Sequence, residues 1–146
     1  MKVKAIYEYP TTEQLIRLGN AFSKEKGQFD IDIDREYTVL GVFFNYNLLG
    51  NDTWIMYKVH EERIGYAPLC LFEVLDNRVS QYWKYHFDRN LHIFEPQEFI
   101  DNPYFNDDLT EGFPEVVKIF AELCKKMEAE FEEKTPKIED WEIEIL

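Results

Sequence analysis

YTVLGVFF, residues 37–44, is the best strand candidate in the chain and decides its fold class. β-Branched and aromatic residues dominate it, and these favour the pleated, half-buried surface of a sheet. Gly41 interrupts the segment, and a glycine inside a strand indicates a bulge or a bend. A second strand candidate, TWIMYKVH at residues 53–60, follows the turn-forming residues 45–52. Two such segments joined by turn residues predict an antiparallel pair.

More short strands are predicted on both sides of this pair. Residues 3–9 alternate moderately, and residues 67–75 form an apolar run expected for a strand buried on both faces. LFEVLDNRVSQYW, residues 71–83, predicts a hairpin with Asp76-Asn77-Arg78 as its corner and Trp83 as the anchor of the return strand. Arg78 is expected to pair with a nearby acid or with turn carbonyls.

The rest of the sheet is predicted from shorter segments. Residues 61–66 are expected to form a polar loop, and residues 80–87 and 91–94 to form strands around the corner at residues 88–90. Several short strands at this spacing favour an antiparallel meander that curls into a small barrel.

Helices are predicted at both ends of the chain. Thr11 and Gln14 fit a capping box that opens a helix over residues 12–25. After a short helical turn at residues 97–100, Pro114 is well placed at the first turn of an amphipathic helix of about twenty residues. Its apolar stripe is Val116, Phe120, Leu123, Met127 and Phe131. In the acidic tail, about residues 134–146, alternation of apolar and acidic residues predicts an added edge strand.

Charge is the strongest global signal. The chain of 146 residues has 29 acidic and 16 basic residues and a net charge of −13. That charge disfavours nucleic acid and anionic membranes as ligands, and it would steer a basic protein toward the chain. The alternative is an acidic surface that serves solubility alone. With no leader-like apolar run and no spanning segment, we expect a cytoplasmic protein.

A search for catalytic or metal-binding patterns finds none that is specific. His60, His86 and His92 are isolated in sequence, and each is expected to be exposed or hydrogen-bonded. Cys70 and Cys124 are expected to pack as small hydrophobic residues, and a Cys70–His86 nucleophile pair is disfavoured by the apolar neighbours of the thiol. Glycine-rich phosphate loops are absent. The sequence therefore predicts no catalytic residue, no cofactor and no metal.

Acidic clusters offer candidate partner-binding residues instead. In FDIDID, residues 29–34, strict alternation predicts a strand with three aspartates along one ridge, about 7 Å apart. The ridge could meet lysine or arginine on a partner, or merely keep an edge strand soluble; a divalent-metal site is the third alternative. Residues 106–108 with Glu111 lack the EF-hand pattern and are expected to form a solvated acidic loop.

Aromatic strands are the second source of candidates. In QYWKYHF, residues 81–87, Trp83, Tyr85 and Phe87 share one face. A small barrel has one inner face, so some rings are expected outside, where exposed aromatics beside acids are typical of a protein-binding patch. Core packing is the alternative. The candidate partner-binding residues are Asp30, Asp32, Asp34, Glu61, Glu62, Tyr82, Asp107 and Asp108.

The order of motifs resembles a group of small bacterial immunity proteins, which are partners of polymorphic toxins. The motifs are YTVLGVFF, TWIMYKVH, APLCLFEVLDNRVSQYW, FIDNPYFNDDLTEG and PEVVKIF. That group is similar in having an SH3-like barrel, a phrase like LFEVxDxRxSxYW, a proline-anchored DPYF-like turn and a closing helix. The likeness covers about residues 35–131 and is most specific at residues 71–83 and 102–105. The aspartate ridge and the acidic tail lie outside the pattern.

Pattern and resemblance together predict an α+β fold in one domain, residues 1–146. It would be an antiparallel SH3-like barrel or curled meander, with an N-terminal helix and a long C-terminal helix packed on it. The resemblance implies a non-enzymatic immunity protein that binds a basic toxin domain, and it transfers no catalytic residue. A generic adaptor domain is the alternative, and a small hydrolase that uses His60 or His86 with a carboxylate is the third hypothesis.

Overall fold

A computed structural model describes residues 1–18, 29–47 and 50–132. In that part the chain is α+β, with a seven-stranded antiparallel sheet and a long C-terminal helix. The strands are β1 (Lys2–Ala5), β2 (Glu36–Asn47), β3 (Gly50–His60), β4 (Arg63–Pro68), β5 (Phe72–Asp76), β6 (Trp83–Asp88) and β7 (Leu91–Pro96). The helices are α1 (Thr12–Leu18), α2 (Gln97–Asp101), α3 (Phe105–Thr110) and α4 (Pro114–Ala129), with a 3₁₀ turn at Leu69–Leu71.

Strand β2 is the centre of the sheet, and the sheet forks along it. One edge of β2 pairs with β3 from Val39 to Asn47. The other edge pairs first with β1, at residues 36–38, and then with β7, at residues 42–44. The β1–β5 branch and the β7–β6 branch therefore leave β2 on the same side, one after the other.

A bulge at Gly41 lies between the two branch points, as the sequence predicts. The register against β3 shifts between Val39 and Gly41. A Cβ atom at residue 41 would overlap the Met56 side chain and would lie 2.9 Å from the carbonyl oxygen of Phe94. Only glycine lets β2 approach β3 and β7 this closely, because a methyl group would displace backbone as well as a side chain.

The prediction of a closed barrel is wrong, because the sheet stays open. Its order is β4-β3-β2-β1-β5, and within the described residues the outer strands β4 and β5 are not paired with each other. Residues 67–75, predicted as one buried strand, instead contain the end of β4, the 3₁₀ turn and most of β5. That turn redirects the chain across the sheet. The sheet still bends enough to bring the Phe72 ring within 5.8 Å of the Tyr57 ring.

The hairpin predicted at residues 71–83 is also wrong. Strand β5 pairs with β1, and β6 pairs with β7, so the segment between them is a crossover from one branch to the other. Val74 and Leu75 are exposed, because β5 is an edge strand. Turn residues alone do not decide the partner of a strand, and here long-range pairing with β1 and β7 prevails over the local hairpin.

The crossover is fixed to the end of α4 by charged groups. Arg78 donates from Nη2 to Asp76 Oδ2 at 2.6 Å, the expected pairing of Arg78 with a nearby acid, and its guanidinium lies 5.4 Å from the centre of the Phe131 ring. Glu130 accepts from the buried Ser80 hydroxyl at 2.6 Å and from the Gln81 amide at 2.9 Å. These charge-assisted bonds hold the start of β6 against the helix.

The remaining differences from the prediction are in the lengths of strands. Residues 45–47 and 50–52, predicted as turn, continue β2 and β3 because the hairpin closes at Asn47 and Gly50. The predicted loop at residues 61–66 is a tight turn followed by β4. The corner after β6 is confirmed: Arg89 and Asn90 both have positive φ, at 50° and 66°, as a two-residue type I′ hairpin requires.

Two hydrophobic cores lie on the two faces of the sheet. The first joins the sheet to α2, α3 and α4 and contains Leu40, Met56, Ile64, Phe99, Phe105, Leu109, Phe120, Leu123, Cys124 and Met127. The second lies inside the bend of the sheet and contains Val3, Ala5, Tyr37, Val39, Ile55, Tyr57, Ala67, Leu71 and Phe72. The indole Nε1 of Trp83 donates to the Leu40 carbonyl at 2.9 Å, so Trp83 anchors β6 to β2 and not to a hairpin partner at residues 71–75.

The helices largely follow the sequence. Thr11 and Gln14 form the predicted capping box, with bonds of 2.8 and 3.2 Å, and α1 is described as far as Leu18. The predicted stripe of α4 is buried or half-buried, although the helix ends at Ala129. The predicted continuation of the first helix to residue 25 and the predicted tail strand fall outside the described residues. No helix in residues 1–18, 29–47 or 50–132 has the length and apolar character needed to span a membrane.

Replacing Gly41 with alanine tests the fork. Because the added methyl group meets the backbone of β7, we expect a loss of about 2–3 kcal/mol in the free energy of unfolding, measured by urea titration. The control is Gly112→Ala: Gly112 has a positive φ but open space around its Cβ position, so about 1 kcal/mol is expected. Equal losses in the two variants would show that close packing at residue 41 is unimportant.

The crossover predicts a pH dependence. The hydrogen bond from Arg78 lowers the pKa of Asp76 from 3.8 to about 2. A lowered pKa stabilises the fold above pH 3.8, and that stability disappears as the pH falls through 2. We therefore expect wild type to exceed Asp76→Asn by about 2 kcal/mol at pH 7, with the difference shrinking between pH 4 and pH 2. Urea titrations across this range measure it, and a constant difference would contradict the pairing.

Candidate functional site

The predicted aspartate ridge does not exist. Residues 30–35 are irregular, and Asp34 has a φ of 69°, which no strand adopts. Each carboxylate has its own cation, since Asp30 pairs with Arg63, Asp32 with Arg35 at 3.4 Å and Asp34 with Lys4 at 3.9 Å. The three aspartates therefore lie in a loop beside the sheet, and each is near its own cation instead of sharing one ridge.

Glu61 and Glu62 directly precede Arg63, the partner of Asp30, so these acidic candidates lie near one another. Glu61, in the turn between β3 and β4, pairs with Lys58 at 3.8 Å, and Glu62 donates its amide to His60 Nδ1 at 3.1 Å. Asp107 and Asp108 lie in the first turn of α3, so the predicted acidic loop is a helix.

Two further contacts complete this set of candidates. Asp108 accepts a bond from the Asn102 amide at 3.1 Å, which closes the turn before α3. Tyr82 lies against α4, with the Lys126 ammonium 4.5 Å above its ring. The candidates thus lie in a loop, a turn, a short helix and a segment packed on α4, each with its own local contacts.

An aromatic surface is present on the β7–β6 branch. We call it the aromatic ladder; it consists of Phe44 on β2, Tyr85 and Phe87 on β6, and His92 and Phe94 on β7. The His92 ring lies 5.2 Å from Phe44 and from Phe87, and the Phe94 ring lies 5.3 Å from Tyr85. The Tyr85 hydroxyl bonds to His92 Nδ1 at 2.8 Å. These contacts fix the rings as one continuous surface.

Strand register places the ladder on the face opposite the helices. Ile93 and Glu95 alternate with the ladder residues of β7, and they line a cleft with Phe99 of α2 and Phe105 of α3. The ladder residues belong to neither of the two cores among the described residues. Tyr85 and Phe87 are therefore 54% and 57% exposed, which is high for large apolar rings whose neighbours are also aromatic.

The cleft on the helix side places a polar pair, His86 and Glu95, beside apolar walls. It has a volume of about 490 Å³. His86 Nε2 lies 2.9 Å from Glu95 Oε1, and burial raises the pKa of Glu95. Burial and the nearby Glu95 raise the pKa of Tyr66 to about 12, so its phenol stays protonated at neutral pH. The described residues that line the cleft include no serine, threonine or cysteine that could act as a nucleophile.

The histidines and cysteines have structural surroundings. His60, His86 and His92 each have a hydrogen bond, as the sequence predicts. Cys70 lies in the 3₁₀ turn before β5, and His86 lies on β6. In the sheet, β5 and β6 are separated by β1, β2 and β7. Burial raises the pKa of Cys124 to about 12, so its thiol is unreactive. Among the described residues no group of three or more histidine, cysteine, aspartate or glutamate side chains is placed to hold a metal.

Sequence reasoning found only part of the ladder. It placed Tyr85 and Phe87 on one face but missed Phe44, His92 and Phe94 as their neighbours. The available signal was the alternation of aromatic residues along residues 91–94, but only the register between β2, β6 and β7 shows that these rings meet.

Comparison with known proteins gives no relative. No family model matches the chain, and neither the curated proteins nor the solved structures include a significant match.

Proposed function

We propose that the chain is a non-enzymatic protein-binding domain, and that its role is to neutralise a bacterial toxin domain by direct contact. The observation that carries this proposal is the exposed aromatic ladder. Large rings held together on a solvent-facing sheet stabilise a complex more than they stabilise the isolated fold. Aromatic residues are enriched among the residues that dominate the energy of protein interfaces.

The ladder can supply part of the binding energy of a specific complex. Full burial of a large apolar side chain contributes about 1.5–3 kcal/mol, and Tyr85 and Phe87 each have about half of their surface left to bury, so together they could supply about 1.5–3 kcal/mol. Their rings are already fixed by Phe94 and His92, so little side-chain freedom would be lost on binding. A rigid aromatic surface of this kind is suited to a preformed partner.

Charge supports a basic partner. The net charge of −13 would accelerate association with a basic domain such as a nuclease and would disfavour acidic competitors. Inhibition by occlusion needs only tight binding over the toxin's active site, so no catalytic group is required of the inhibitor. The resemblance of residues 35–131 to immunity proteins supports the same role.

The His86–Glu95 pair is the observation that favours the hydrolase hypothesis. Its geometry suits a base oriented by a carboxylate. The cleft residues that the structure describes include no serine, threonine or cysteine beside it, and the two side chains already bond to each other across β6 and β7. We therefore assign the pair to holding β6 and β7 together.

Replacing His86 with glutamine is expected to leave toxin neutralisation intact.

Removing the two exposed rings tests the proposed surface. The double variant Tyr85→Thr, Phe87→Thr keeps β-forming residues while it removes the apolar area. We expect at least a hundredfold weaker binding to the partner toxin domain, to be sought among the products of neighbouring genes, measured by calorimetry, and loss of rescue from toxin-induced growth arrest. Thermal stability should change little because both rings are more than half exposed.

The matched control is Tyr104→Thr, which removes a ring that is 68% exposed and lies outside the ladder. It should bind like wild type. Wild-type affinity in the double variant would exclude the ladder as the binding surface. Failure of the wild-type chain to bind or neutralise the toxin would exclude the proposed function itself.

A further inference from the structure

Strand β6 is an open edge of the sheet. It pairs with β7 on one side, and no other strand of the described residues pairs with it. Exposed edges with apolar side chains are templates for pairing with another strand. Tyr85 and Phe87, on this edge, are also its most exposed rings.

The hairpin geometry shows which backbone groups face outward. The two-residue turn at Arg89 and Asn90 makes Asp88 and Leu91 a hydrogen-bonded pair, and such pairs alternate along an antiparallel ladder. Tyr85 and Phe87 therefore belong to the non-bonded pairs with β7. Their amide and carbonyl groups point away from β7, toward the open edge.

The sequence of β6 is complementary to itself. In WKYHFD, antiparallel pairing about His86 places Lys84 opposite Asp88, and Tyr85 opposite Phe87. Both Lys84 and Asp88 are exposed. Pairing about Tyr85 instead would place Lys84 opposite His86 and would leave Asp88 without a cation. Pairing about Phe87 would place His86 opposite Asp88 and Lys84 opposite Asn90, so of these three registers only the one about His86 pairs Lys84 with Asp88.

We propose that two copies of this chain form a homodimer by antiparallel pairing of their β6 edges, centred on His86. Tyr85 of each copy exchanges both backbone hydrogen bonds with Phe87 of the other, and Lys84 of each copy pairs with Asp88 of the other. The two-fold axis is perpendicular to the joined sheet, so the interface is isologous.

The dimer joins the two aromatic ladders. Paired Tyr85 and Phe87 rings lie on the same face of a sheet, so the ladders of both copies become one continuous surface. Its broad face stays open, so edge pairing and partner binding are compatible. This inference goes beyond the proposed function. It can be tested on the isolated chain, without any toxin, so its failure would not affect the proposed function.

Charge exchange at the edge tests the dimer. Sedimentation equilibrium of the wild-type chain, over a range of concentrations at one fixed salt, is expected to show a reversible dimer. Lys84→Asp places two pairs of like charges across the interface and should weaken dimerisation by about tenfold or more, as should Asp88→Lys. The double variant Lys84→Asp, Asp88→Lys restores opposite charges and should recover most of the affinity.

Amide exchange supplies the second readout. In the wild-type chain, the amides of Tyr85 and Phe87 should gain protection as concentration rises, while that of His86, bonded to β7, is protected at every concentration. A chain that stays monomeric overturns the proposal, as does a double variant no better than the single ones. Protection of Tyr85 and Phe87 that is independent of concentration also overturns it, because another segment of the same chain would then cover the edge.

Discussion

The close approach of three strands at Gly41 is the constraint on which the rest of the structure depends. Strand β2 is long enough to pair with β1 at residues 36–38 and with β7 at residues 42–44. Between these two segments, a bulge shifts the register of β2 against β3 from Val39 to Gly41. Glycine is required there because the Phe94 carbonyl occupies the space that a side chain would need.

Forking has a direct consequence for function. The β1–β5 branch bends over the sheet and encloses the second core, while the β7–β6 branch receives helices on one face alone. The other face of that branch keeps its rings in solvent. The crossover between the branches is fixed to α4 through Glu130, which accepts bonds from Ser80 and Gln81. The fold and the aromatic ladder are thus linked, because the crossover between β5 and β6 also positions the start of β6, which carries two of the ladder rings.

The sequence predicts local structure better than pairing. The capping box at Thr11, the bulge at Gly41 and the stripe of α4 follow from neighbours a few residues away, and the structure confirms them. The barrel and the hairpin at residues 71–83 failed because strand partners are chosen by long-range packing. The aspartate ridge failed because alternation was taken as a strand, whereas Asp30, Asp32 and Asp34 each meet a separate cation. The ladder depends on register and could only be predicted in part.

Hydrogen exchange of the chain in complex with its toxin domain tests the central claim most directly. Peptides that cover β6 and β7 should gain protection on binding, together with the end of β2 that carries Phe44. Peptides that cover residues 30–34 and the turn at Glu61 and Glu62 should exchange as they do in the free chain, because their charges are already paired. Protection confined to those acidic segments, with β6 and β7 unchanged, would contradict the assignment of the aromatic ladder as the binding surface.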